Sequence, residues 1–85
     1  NFPNPFNPIT NIGWELPKNE FVNISIYNSN GKLVKTLVNS LQSSGYRTIN
    51  WDATDNRNKP MTSGLYIYML QSESYVNTKK MILLR

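Results

Sequence analysis

Oxygen-bearing side chains crowd into one short stretch of the chain, DATDNRNKP at residues 52–60, where Asp52, Asp55, Asn56 and Asn58 have the ligand chemistry to hold a hard cation. A calcium loop needs more than oxygen: it adds a bidentate Glu and a Gly placed for a sharp turn, and neither stands here. The same side chains serve another purpose readily, by accepting hydrogen bonds from their own backbone as Asx-turns that hold a loop without a core. No metal is therefore expected. Catalytic chemistry is limited on simpler grounds. The chain has no His and no Cys, which removes disulfides, thiolate chemistry and the usual zinc and iron ligands together. Its acids are Glu15, Glu20, Asp52, Asp55 and Glu73. They include no pair placed for acid–base or nucleophilic work, so neither an enzyme nor a cofactor is expected.

Nine Lys and Arg against five Asp and Glu give a net charge of +4. The basic residues are scattered, with Lys79-Lys80 the only adjacent pair, so the clustered footprint that nucleic acid requires is missing. The longest wholly apolar run, Met81 to Leu84, falls far short of the roughly 20 residues of a membrane span. With 85 residues the chain has room for one domain, residues 1–85, near the lower end of what buries a workable core. It begins without an initiator Met or a signal-peptide pattern, and is read as part of a longer protein with its targeting signal upstream.

The elements are organised around Phe21 to Val38. Val22, Ile24 and Ile26 alternate with Asn23, Ser25 and Tyr27, the pattern of a half-buried strand. Asn28 to Gly31 then supplies turn chemistry, and Asn30-Gly31 is a strong hairpin signal. The return strand is less distinct, because Leu33, Val34, Leu37 and Val38 also have the spacing of a helical turn. Upstream, Pro3, Pro5 and Pro8 exclude a helix and a central strand, so residues 1–8 are placed on a sheet edge or as a strap across the sandwich mouth, anchored by Phe2 and Phe6, and are read as a stiff linker or a recognition segment. Ile9 to Leu16 forms a first strand with Ile12, Trp14 and Leu16 inward. Asn39 to Ser44 is read as a loop, and Tyr46 to Trp51 as a strand with Ile49 and Trp51 inward and the Arg47 stem on the rim. Leu65 to Leu70, LYIYML, is apolar or aromatic on both faces and reads as an interior strand buried or stacked on both sides. Tyr75 to Arg85 closes the chain, with Met81 and Leu83 on one side, Ile82 and Leu84 on the other, and both sides contributing to burial. Short strands separated by turns predict an all-β, immunoglobulin-like β-sandwich of six or seven mostly antiparallel strands.

The order PNPFNPIT at residues 3–10, Leu16-Pro17, VNISIYNSNGKLVKTL at 22–37, SGYRTINWDATD at 44–55, MTSGLYIYML at 61–70 and KKMILLR at 79–85 covers essentially the whole chain. In this it resembles the C-terminal sorting domain, type A, of the type IX (Por) secretion system. Asn58 departs from that pattern, where Gly is frequent, and Asn also tolerates the left-handed conformation. The resemblance implies a non-catalytic signal that directs an upstream cargo domain of the same chain across the outer membrane. Its implied partners are the outer-membrane translocon and a sortase-like protease that removes the domain. The cargo is then expected to be secreted and anchored at the cell surface. Residues assigned to recognition under this reading are Pro3, Asn4, Pro5, Phe6, Gly31, Gly64, Tyr66, Lys79, Lys80 and Arg85. Lys79 and Lys80 have a second reading, as charges that keep an edge strand from pairing with its neighbours. The hairpin and the SGLYIY strand are also similar to the immunoglobulin-like module of the flagellar hook-capping protein, which makes an assembly module the alternative. Trp14, Trp51 and the five Tyr raise a third, sugar stacking, if they line an exposed face.

Overall fold

The computed structural model describes residues 10–85. Six strands follow in order: Thr10–Leu16 (β1), Glu20–Asn28 (β2), Leu33–Gln42 (β3), Gly45–Trp51 (β4), Gly64–Gln71 (β5) and Val76–Leu83 (β6). All pairings are antiparallel. β1 and β4 make a two-stranded sheet that lies over a four-stranded sheet of order β3-β2-β5-β6. The chain is an immunoglobulin-like β-sandwich, and the placement expected for residues 1–8 lies outside the described residues.

β2 lies inside the large sheet, between β3 and β5, with aliphatic side chains along most of its inner face. Val22, Ile24 and Ile26 are each 0% exposed. Ile12, Trp14 and Leu16 from β1 and Trp51 from β4 cover them, joined by Tyr66, Tyr68 and Leu70 from β5. The turn into β3 is tight: Gly31 N–H donates to Asn28 O at 2.9 Å, and Asn28 N–H to Lys32 O at 2.9 Å. Gly31 alone in this turn has a left-handed backbone, φ 82°, so Asn30-Gly31 is the end of a three-residue loop and not a pair of left-handed residues. The Asn28 side chain takes over the capping, its Oδ1 accepting from Asn30 N–H and Lys32 N–H.

Three expectations need correction. β3 runs to Gln42, so Asn39 to Gln42 is strand, drawn into the sheet by pairing with Glu20 to Asn23. The helix-like spacing of Leu33, Val34, Leu37 and Val38 has its cause in two register shifts against β2. Each inserts one extra residue, first Leu37 and then Val34, and a β-bulge interrupts the two-residue alternation without leaving the sheet. β5 is interior to the sheet, yet only Tyr66, Tyr68 and Leu70 are fully buried. Leu65, Ile67 and Met69 are half-buried on an outer face that no second layer covers among the described residues.

β6 departs from expectation in the same way. Leu83 is 5% exposed and Met81 half-buried, whereas Ile82 and Leu84 are 68% and 74% exposed. One side of the strand holds it in place, not both. Leu83→Ala is therefore expected to cost about 2–4 kcal/mol, and Leu84→Ala less than about 0.5 kcal/mol. Urea denaturation of the two variants checks this, and equal losses would contradict the one-sided packing.

Candidate functional surface

One side-chain oxygen of each of Asp52, Asp55, Asn56 and Asn58 already accepts from the chain itself. Asp52 Oδ1 accepts from Thr54 N–H and the Thr54 hydroxyl, and Asp55 Oδ1 from Arg57 N–H and Lys59 N–H at 2.9 Å each. Asn56 Oδ1 accepts from Thr36 N–H, and Asn58 Oδ1 from Lys35 Nζ. Two residues of the loop, Ala53 (φ 65°) and Asn58 (φ 64°), adopt the left-handed conformation. Asn is suited to it; Ala53 is held there while buried in the core. Among the described residues no group of three His, Cys, Asp or Glu side chains comes together to hold a metal.

Three anchors tie the same loop to the sandwich. Trp51 Nε1–H donates to Thr54 O at 2.8 Å while its ring packs against Tyr66, centroids 5.3 Å apart. The Tyr66 hydroxyl donates to Thr62 O at 2.8 Å. Arg85 donates from Nε to Met61 O at 2.6 Å and from Nη2 to Ala53 O at 3.1 Å, and its N–H to Ser63 Oγ.

Of the residues assigned to recognition, the structure brings Gly64, Tyr66 and Arg85 together around this loop. Gly31 sits apart in the β2–β3 turn, and Lys79 and Lys80 lie exposed along β6, opposite Tyr68 and Ile67 of β5. Pro3, Asn4, Pro5 and Phe6 lie outside the described residues. Trp14, Trp51, Tyr66 and Tyr68 are buried, so these aromatics do not form a stacking face for sugars.

Glu20 was missed as a structural residue. It is 0% exposed, and its carboxylate accepts from Ser74 N–H at 2.8 Å and from the Ser74 hydroxyl, joining the start of β2 to the β5–β6 turn. Its position was legible, since the alternation of Val22, Ile24 and Ile26 extended backwards places Glu20 on the inner face. At the same end the Tyr75 hydroxyl donates to Glu15 O at 3.0 Å, which links the β5–β6 turn to the small sheet. The Ser74 hydroxyl, with help from Ser74 N–H, holds the Glu20 carboxyl below its ordinary range. The Thr54 hydroxyl lowers Asp52, and the Lys59 N–H lowers Asp55.

A family model described as the FlgD Ig-like domain matches residues 6–74. The chain belongs to the FlgD Ig-like domain family. Two solved structures share the fold. One is FlgD from P. aeruginosa, with TM-score 0.68 and 20% identity over 89% of this chain and 60% of that one. The other is FlgD from Xanthomonas campestris, described with hook capping essential for flagellar assembly. It has TM-score 0.67 and 24% identity over 91% of this chain and 56% of that one. The chain thus spans less than two thirds of either. No curated protein matches it.

The family membership corrects two expectations. The chain is not read as a type IX sorting signal, because the family it matches is that of the hook-capping protein. The placement as cell-surface-anchored cargo falls with it. The physical reason lies in the matching motifs, which are fold residues: Gly31 supplies the left-handed position of the β2–β3 turn, and the SGLYIY segment supplies a strand and the Tyr66 hydroxyl that anchors Thr62.

Two expectations concern the loop and its acids. The loop oxygens are engaged by protein donors, so a chelator is expected to leave the thermal midpoint unchanged within error; a fall of several degrees in EDTA would show a bound metal. Glu20, Asp52 and Asp55 all titrate lower in the folded chain than in the unfolded one. Their stabilisation is fully present above the unfolded values near pH 4 and is lost as pH falls through the folded ones. Circular dichroism melts are expected to be flat above about pH 5 and to fall steadily towards about pH 2, less steeply for Glu20→Gln.

Proposed function

We propose that this chain is a non-catalytic assembly module of the flagellar hook-capping type. Its membership of the FlgD Ig-like domain family over residues 6–74 carries the reading. The chemistry of the chain supports it. Glu20, Asp52 and Asp55 serve as acceptors for the protein's own N–H and O–H groups, and Glu73 is in an ion pair with Lys18 at 3.5 Å. A rigid sandwich with its polar groups engaged at both ends suits a part that presents surfaces to other subunits.

Epitope tagging of the parent protein in its native host, followed by immunogold microscopy of growing flagella, tests the proposal. Label is expected at the distal end of the hook, and deletion of residues 10–85 is expected to stop hook growth. Label found away from the flagellum, with hooks of normal length in the deletion strain, would overturn it.

A further inference from the structure

The two edges of the large sheet are unlike. The β3 edge is broken by the bulges at Leu37 and Val34 and is covered by the 52–60 loop, where Asn56 N–H donates to Val34 O at 3.1 Å and Thr36 N–H to Asn56 Oδ1 at 3.1 Å. Among the described residues β6 has neither protection. Its register against β5 is unbroken from Gln71↔Val76 to Gly64↔Leu83. In an antiparallel pair alternate residues turn their N–H and C=O away from the neighbouring strand. Along the far side of β6 these groups meet no other segment among the described residues. An open, regular edge of this length is a template for strand addition.

Charge selects what can pair there. Lys79 and Lys80 occupy the middle of β6, and neither β5 nor β6 contains an acid. The Lys18–Glu73 ion pair involves neither of these lysines. A second copy in full antiparallel register would place Lys79 opposite Lys80 of its mate, and like charges directly opposite are destabilising. Residues 1–9 of this chain are poorly suited too, since Pro3, Pro5 and Pro8 lack donors and the segment has no carboxylate. We infer that the β6 edge docks an extended acidic segment of a partner protein, added as a further strand of the large sheet.

Alternation along β6 specifies the partner further. Val76, Thr78, Lys80 and Ile82 face outward, and Asn77, Lys79, Met81 and Leu83 inward. The two lysines point to opposite faces, so the partner needs two adjacent acids. Apolar residues belong opposite the exposed Val76 and Ile82. The resulting pattern is apolar, any, acidic, acidic, any, any, apolar. This rests on the geometry of the edge and is independent of the hook-capping reading.

The test uses the 85-residue chain and the synthetic peptide TVTEETTVT. Amide shifts in its nitrogen-15 spectrum are expected over residues 76–83 and not over 33–42. Lys79→Glu with Lys80→Glu, both exposed and so expected to melt as the native chain does, should bind that peptide at least about tenfold more weakly and gain binding to TVTKKTTVT. A peptide methylated on alternate backbone nitrogens should not bind. The proposal is overturned if TVTEETTVT does not bind, if its shifts map elsewhere, or if the methylated peptide binds equally, which would mean charge attraction alone. Self-association of the native chain through β6 in sedimentation would also overturn it, by showing a second copy as the occupant.

Discussion

Burial of the inner face of β2 beneath β1 and β4 is the constraint on which the rest of this structure depends. A two-stranded sheet is marginal in water by itself, and the large sheet exposes a row of aliphatic side chains unless something covers it. Each sheet therefore persists because of the other. Val22, Ile24 and Ile26 meet Ile12, Leu16 and Trp51 across the interface, with no disulfide to share the load. Fully burying one such side chain is worth about 1.5–3 kcal/mol, a large part of the roughly 5–15 kcal/mol that holds a domain folded. The sandwich has little tolerance for a cavity at this interface.

Polar clasps complete what the core begins. At one end Glu20 holds the β5–β6 turn, the Tyr75 hydroxyl reaches Glu15 O, and Asn19 Oδ1 accepts from Ser44 N–H at 2.9 Å. At the other, Trp51, Tyr66 and Arg85 donate to four carbonyls of the 52–63 segment, which has almost no regular structure of its own. Each clasp satisfies a backbone group that would otherwise lose its partner on folding. In this way side-chain donors and acceptors do the work that a metal or a cystine does in other small domains.

The same clasps explain why motif resemblance led to the wrong function while leading to the right fold. Gly31, Tyr66 and the strand that carries it answer needs of the sandwich, so they speak for the fold and not for a function. Function is carried by the surface that each family grafts onto the fold. On this chain that surface includes a β6 edge that carries a pair of lysines and, among the described residues, is neither bulged nor covered, beside a β3 edge that is both.

Periodicity and turn chemistry made much of the architecture legible. The alternation of Val22, Ile24 and Ile26, the Asn28 to Gly31 turn and the inward Ile12, Trp14 and Leu16 follow from side-chain period and backbone preference, which act locally. The self-capping of Asp52 and Asp55 was legible for the same reason, because an Asx-turn needs only its own next few residues. Other features depended on partners distant in the chain. Bulges at Leu37 and Val34 exist relative to β2 and disguised β3 as a helical turn, and Asn39 to Gln42 became strand only by pairing with Glu20 to Asn23. The apolar run of β6 looked buried on both sides, yet which side is covered depends on where the small sheet lies, and it lies over Leu83 and leaves Ile82 and Leu84 to solvent. Local sequence determined the strands and turns of this protein; only tertiary structure decided their partners and exposed edges, because burial and pairing belong to two segments at once.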